Sequence, residues 1–381
     1  MRLLNKLSNI EALRTKIRAK KSEYLSRTRV KYSVVSASSP AQKRLIFVLP
    51  VLHYPCGGNI VTHNKADAIQ ALGYRETTAE VMYPQELDFS PTLFPYSAPI
   101  KRDLAIDITQ DFVVVPEAFV LINTPSLIEQ KIPYAINVLN GYLMDLELID
   151  NLGDFEALSL AYQHAAFIIS ISEDTTENIK MVFPECADKI IQASYVIDKA
   201  KQAPLEQKEN IITYMPRKLS RHSQLVLFML GKKLPAHWRL VPIDGVTEAE
   251  VYAIFTRSKI FLSFSEFEGL AMPPVMAALS GNLVIGYTGE GNKEYFHLPC
   301  FEEVMSGDLK TFVDKLLKAV ERFDRQEQQI DQSAIAHLTE LFSQQRLKTF
   351  LKTLIDRVHL HLHLPVMFFS EPEMTFAWAL L

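Results

Sequence analysis

Residues 261–296 read FLSFSEFEGLAMPPVMAALSGNLVIGYTGEGNKEYF, and three changes of character inside this stretch decide the fold. Ile260, Phe261, Leu262 and Phe264 form a nearly continuous apolar run, the pattern of a parallel strand covered on both faces. Ser265 to Gly269 is then an abrupt polar turn, at the carboxyl end of that strand, where open α/β sheets bind ligands. Pro273 and Pro274 are tolerated in the first turn of a helix and not in its interior, so a helix starts near Pro273 and ends at Gly281. Leu283 to Gly286 reads as the next strand, and Thr288 to Asn292 as a glycine loop opening toward Lys293 and Glu294. A carboxylate at the mouth of a sheet can accept hydrogen bonds from hydroxyls. Backbone N–H groups at a helix start and in a glycine loop suit phosphate oxygens. Together they fit a ligand carrying both sugar and diphosphate.

The same alternation recurs on either side. Arg44 to Leu49 is a buried strand, followed by Pro55-Cys56-Gly57-Gly58-Asn59 and a helical stretch from Ile60 to Leu72 closed by Gly73. The Gly-Gly pair is either a tight turn or a ligand loop, and His53 and His63 beside it are of a type more often structural than catalytic. Strands follow at Thr78 to Met82, Phe112 to Val115, Tyr134 to Leu139 and Phe167 to Ser170. Glu117 and Asn140 stand just past two of these strand ends. Each either contacts a ligand or serves locally, Glu117 as a helix cap and Asn140 in a turn. Ser172-Glu173-Asp174 caps a helix running to Phe183, where Pro184 stops it.

Ala200 to Asn210 is polar and contains proline, and reads as a linker. Beyond it, Ile211 to Met215 is a strand ending in Pro216-Arg217-Lys218 before a helix over Ser220 to Leu230. Bases at a strand end and helix start suit a diphosphate, arginine binding it bidentately and lysine as a point charge. A strand around Trp238 to Val241 and a helix from Glu248 to Thr256 lead back to the opening stretch. Lys310 to Phe323 and Ala334 to Ile355 have the period of long amphipathic helices. His359, His361 and His363 alternate with leucines, which predicts one face of a strand, with metal ligation as the rival reading.

At 381 residues the chain is long enough for two ordinary domains. The expected divisions are an extension over 1–40, Rossmann-like domains over 41–200 and 201–330, and a C-terminal helix and tail over 331–381 that crosses back to the first domain. The net charge of −4 hides an asymmetry, because residues 1–40 hold ten Lys and Arg against Glu11 and Glu23. Leu3, Leu4, Leu7, Ile10, Leu13 and Ile17 make this region a basic amphipathic helix, packed on its own protein or adhering to an anionic membrane surface. Nothing further along the chain supports nucleic-acid binding. The three cysteines lack paired spacing, so neither a disulfide framework nor a zinc site is indicated, and a cytoplasmic setting is expected. No apolar run is long enough for a transmembrane helix, and no secretory signal is present.

The stretch around Glu268 resembles the donor-binding signature of retaining, GT-B-fold glycosyltransferases of family 4, Glu-Gly-Phe-Gly-Leu-Pro-x-x-Glu-Ala followed by a Gly-x-Gly-Gly-x-Glu loop. Glu268, Gly269 and Pro273 stand where that pattern has them, and Met272 replaces its leucine. Gly289-Glu290-Gly291-Asn292-Lys293-Glu294-Tyr295 is similar to the loop, with Asn292 where a second glycine is common. The family's second glutamate, which holds the nucleotide ribose, falls on Met276. The family's phosphate-binding lysine often falls further along than Lys218, at His222.

The resemblance implies the α/β GT-B architecture, two doubly wound domains facing across a cleft. It also implies transfer of a sugar from a nucleotide sugar to an acceptor hydroxyl with retention, the leaving diphosphate helping to take the acceptor's proton. No metal or other cofactor is then required. Glu268 and Arg217 become catalytic, with Lys218, Ser265, Gly269, Leu270, Gly289, Gly291 and Asn292 binding the donor. Gly57, Gly58, His63, Glu117 and Asn140 fall on the acceptor side. The acceptor is expected to be a glycan, lipid-linked or protein molecule in glycan or polysaccharide assembly, with peripheral membrane contact through residues 1–31. Two rivals share the residues: a nucleotide-sugar epimerase of the same fold, and a non-catalytic binding partner in keeping with Met276.

Overall fold

The computed structural model describes residues 29–36, 42–54, 56–150, 152–197 and 207–363. The amphipathic reading of the first residues, most of the polar linker and the last residues of the tail therefore lie outside the described residues. At the margin, β1 (Ser33–Val35) runs parallel to β5 (Ala105–Asp107). The first main sheet contains β2 (Arg44–Val48), β3 (Thr78–Met82), β4 (Ile100–Lys101), β6 (Asp111–Pro116), β7 (Tyr134–Val138), β8 (Ile168–Ser170) and β9 (Ile190–Gln192). The second contains β10 (Glu209–Tyr214), β11 (Arg239–Pro242), β12 (Ser258–Glu268), β13 (Leu283–Glu290) and β14 (Phe301–Glu303).

All their pairings are parallel, in the orders β4-β3-β2-β6-β7-β8-β9 and β11-β10-β12-β13-β14. Each order reverses once. The switch points fall between β2 and β6 in the first sheet and between β10 and β12 in the second, and such points open ligand crevices at the strands' carboxyl ends.

Strand burial follows from side chains alternating across a covered sheet. Leu45 and Phe47 enter one apolar cluster while Ile46 and Val48 enter another. Likewise Phe261 faces one way and Ile260, Leu262 and Phe264 the other. The cluster holding Leu45 and Phe261 is shared by both sheets, and its members include Val275 and Leu354. One continuous apolar core thus joins the two halves.

Five helices bear on the site. They are α1 (Gly57–Leu72), α2 (Glu173–Val182), α3 (Ser220–Leu230), α4 (Met272–Leu279) and α5 (Gln344–His363). Gly73 ends α1 in the left-handed conformation, φ 56°, with its N–H donated to Ile69 O. Ser172 caps α2, its Oγ accepting from Thr175 N at 3.2 Å.

The long helix expected over Ala334 to Ile355 is in fact two, Gln332–Leu341 and α5. Ser343 breaks it, because its Oγ accepts from Arg346 N at 3.3 Å and starts a new helix. The strand expected at the three histidines is also replaced by helix. Phe350, Leu351, Leu354, Ile355 and Val358 are buried at three- and four-residue spacing, which carries α5 through His359 and His361. His359 is buried and its Nε2 lies 2.8 Å from Thr77 Oγ1, while Tyr74 Oη donates to Asp356 at 3.2 Å. α5 therefore follows the second sheet in the chain and packs against the first. No helix among the described residues is long and apolar enough to cross a membrane.

Leu354 is fully buried in the shared core. Leu354→Ala is expected to destabilise the fold by about 2–5 kcal/mol, read as a lower urea midpoint; an unchanged midpoint would show that α5 is not part of the cooperative unit.

Candidate active site

The second switch point brings two ion pairs to one rim. β10 ends at Tyr214, and the turn before α3 carries Arg217 and Lys218. Lys218 Nζ donates to Glu268 Oε1 at 2.5 Å, linking the end of β10 to the end of β12. Arg217 Nε lies 3.0 Å from Asp244 Oδ1, which stands just beyond β11, and the Arg217 side chain is 84% exposed. Two cations and two carboxylates thus gather at the mouth of the sheet, with Arg217, Asp244 and Lys218 exposed and Glu268 half-buried.

Behind them the backbone is unusually close-packed. Ser265 pairs with Thr288 and Glu268 with Glu290, so three steps along β12 match two along β13 and one residue bulges. Phe267 absorbs the bulge at φ 49°, a conformation that is rare for a bulky side chain. A Cβ at residue 269 would lie 2.3 Å from Leu139 O, and one at residue 291 would lie 1.9 Å from Gly269 O. Only glycine fits at either place. Gly289 and Glu290 turn the loop with consecutive positive φ values of 67° and 69°. Asn292 then fastens the loop to the start of α4, accepting from Ala271 N at 2.8 Å and donating to Ala271 O at 3.0 Å.

The first sheet closes on this turn from the other side. Asn140, after β7, donates through Nδ2 to Phe267 O at 3.0 Å and accepts from Tyr142 N at 2.9 Å. The Tyr142 and Phe267 rings meet at 5.2 Å between centroids. Glu294 accepts from Glu173 N, the first residue of α2, at 3.1 Å. These contacts form the floor between the two sheets.

Placed on this geometry, the residues singled out from sequence divide. Arg217, Lys218 and Glu268 present charged ends at the rim, and Asn140 lies on the floor. Gly269, Gly289 and Gly291 shape the backbone. Ser265 is buried and Leu270 packs on the core. Asn292 does not offer its amide to a ligand, because both polar atoms are engaged with Ala271. Gly57 and Gly58 lie in the first turn of α1 rather than in a loop before it.

His63 is not at an open face. It is fully buried with Nε2 2.7 Å from Tyr83 Oη, and burial pulls its pKa down to about 4. Glu117 also turns inward. It is 4% exposed and accepts from Asn140 N at 2.9 Å, and burial pushes its carboxyl up to about 7. Apolar surroundings disfavour the charged form of each group.

No protein-family model matches the chain. An Alpha-1,6-glucosyltransferase of Actinobacillus pleuropneumoniae serotype 7 (strain AP76) is 28% identical over 135 residues, 34% of this chain and 41% of that protein. The chain thus spans about two fifths of the length of the curated relative it matches. A sucrose-phosphate synthase of Thermosynechococcus elongatus superposes with a TM-score of 0.62, covering 84% of this chain and 100% of that one at 9% identity. HepE of Anabaena, in complex with UDP-glucose, superposes at 0.56, covering 82% and 99% at 10% identity. The fold is GT-B.

Within the GT-B fold, three residues bearing on the site escaped sequence reasoning. Asp244 precedes Gly245 directly after a strand, the location that drew attention to Glu117, and could have been found by that rule. Phe267 was visible inside the acidic turn, but its bulge was not. Lys65 was hidden on α1. It is buried, donates to Asn137 Oδ1 at 3.1 Å, faces the Tyr195 and Phe350 rings at 5.7 Å, and is pulled by burial down to about 7.

Gly269→Ala is expected to cost about 1–3 kcal/mol in thermal unfolding, since a backbone carbonyl must move; wild-type stability would mean that the sheets separate freely there. His63 has a second outcome. Its folded-state pKa lies below the unfolded value of 6.5, so the unfolded chain binds the proton first and stability is lost as pH falls from about 6.5 to about 4. His63→Gln is expected to flatten that part of the Tm-versus-pH curve relative to wild type; an unaltered acid slope would refute the assignment.

Proposed function

We propose that this chain is a glycosyltransferase that moves a hexosyl group from a nucleotide sugar to an acceptor hydroxyl, with UDP-glucose the first donor to test. The observation that carries the reading is the meeting of Lys218 and Glu268 across the second switch point, with Arg217 beside them. Cations at a strand end serve a diphosphate, and the carboxylate serves sugar hydroxyls. HepE has been captured with UDP and with UDP-glucose, and the curated relative is named for glucosyl transfer, which supports this donor class.

In the proposed step the bond from the anomeric carbon to the donor phosphate oxygen breaks. A bond to the acceptor oxygen forms on the same face, and the acceptor's proton passes to the leaving diphosphate. Arg217 and Lys218 stabilise the charge that develops on the diphosphate, and Glu268 orients the sugar. No metal enters this scheme, so turnover should withstand EDTA. The acceptor belongs to glycan, lipid-linked or protein substrates approaching from the first sheet, with work at the cytoplasmic membrane face the corresponding setting.

Met276 favours one further reading. It packs partly buried against the core, so no carboxylate stands at the position where the resembling family holds ribose. A partner subunit that binds nucleotide sugar without turnover would tolerate that change.

Titration calorimetry with UDP-glucose followed by a transfer assay decides between them. Arg217→Ala and Glu268→Gln are each expected to lower transfer by about 10²–10³ with circular dichroism unchanged. Wild-type turnover in either variant would sink the enzyme assignment, and tight wild-type binding without product would establish the partner reading.

A further inference from the structure

Phe267 is held in an unfavourable conformation, and the result is an exposed ring. The strand is buried through Ser265 and emerges at Glu266, and Phe267, at the bulge, is 57% exposed. Bulges beside functional sites re-aim a side chain in this way, and backbone strain persists where surrounding contacts enforce it. Here the enforcing contact is Asn140 Nδ2 on the Phe267 carbonyl. Neither Phe267 nor Tyr142 belongs to a buried apolar cluster, so core packing does not account for the pair.

The surroundings are polar, and the Tyr142 and Phe267 rings meet at 50° to one another. Tyr142 Oη donates to Asp174 Oδ1 at 3.1 Å, and Asn178 Nδ2 donates to Asp174 Oδ2 at 3.3 Å. Two ring faces, a carboxylate and amides thus stand at the cleft floor, with Phe267 adjacent in sequence to Glu268. A pyranose has the matching surface: one face of C–H groups to lie on an aromatic ring and a rim of hydroxyls for the polar groups.

We propose that Phe267 and Tyr142 form a platform for one pyranose ring of the acceptor, making the acceptor a glycan. The proposal rests on the glycosyltransferase reading and adds its acceptor class. Phe267 positions the sugar face, Asp174 and Asn178 read its hydroxyls, and Asn140 holds the turn that carries Phe267.

The test uses saturation-transfer NMR of the full chain with maltose and isomaltose, alongside a separate UDP titration. Wild type is expected to give disaccharide signals, and Phe267→Leu and Tyr142→Leu each to weaken disaccharide binding by about tenfold. Phe267→Tyr should retain binding, and UDP affinity should stay within about twofold in all three variants. In turnover, Phe267→Leu should raise the acceptor KM while leaving kcat nearly unchanged.

Absence of disaccharide signals from wild type would overturn the platform, as would equal signals from Phe267→Leu. Loss of UDP affinity together with sugar binding would also overturn it, by showing that the rings hold the fold or the donor. Failure of wild type to bind any UDP compound, with disaccharide signals intact, would instead remove the donor assignment and leave the platform standing.

Discussion

No side chain fits at residue 269, and the arrangement of the cleft depends on that constraint. The Leu139 carbonyl from the first sheet occupies the space where a Cβ would project, and the Gly269 carbonyl in turn occupies the corresponding space at residue 291. Three backbone segments are thereby stacked at distances that side chains would prevent. Asn292 closes the stack by hydrogen bonding both polar groups of Ala271 at the start of α4. Glu268 is thus carried on a turn braced from three directions. The proposed role of Glu268 in orienting the sugar would draw on such a support, because small errors of placement weaken every interaction that a carboxylate makes.

The charges divide by depth. Arg217–Asp244 and Lys218–Glu268 lie at the rim, where ion pairs are worth only about 0–1 kcal/mol. They keep the bases oriented without holding them tightly. A diphosphate, with more charge and more acceptor atoms, can take the place of the carboxylates through charge-assisted hydrogen bonds. Lys65 and Glu117 are the opposite case, buried and pushed by burial toward their neutral forms. Removing the partner of a buried polar group leaves a desolvated atom unpaired, so these residues set geometry. Glu117 does this directly, through the N–H of Asn140, whose own amide reaches Phe267.

Much of this was legible from residue patterns. Covered parallel strands betray themselves by apolar runs: β2, β3, β6, β7, β8, β10 and β11 were placed near their observed ends, and β12 and β13 near their observed starts. The short strands β1, β4, β5, β9 and β14 were missed because two or three residues carry no measurable period. Polar strand ends were misjudged too: β12 continues through Ser265 to Glu268 because ladder hydrogen bonds do not require apolar side chains. The histidine alternation near the end was misleading, since a period of two over five residues cannot outweigh the helical spacing before it. At the site, residue type marked strand ends as places to look, and the structure brings Lys218 and Glu268 together at two of them. Direction was beyond it. Nothing local distinguishes Glu117, which faces inward, from Glu268, which faces the cleft; only the packing of neighbouring elements separates them.

The choice of residue at 267 is informative against its neighbours. Positions 269, 289 and 291 carry glycine where close approach or positive φ requires it. Position 267 also has positive φ, and glycine there would remove a strain of about 1–2 kcal/mol. The chain carries phenylalanine instead, on a backbone that a hydrogen bond from the opposite sheet holds in place. A purely structural bulge has no use for an aromatic ring in water, since an exposed ring adds nothing to the core and glycine would make the turn with less strain. The ring is the feature that this strained turn presents in the proposed platform, against Tyr142 and next in sequence to Glu268.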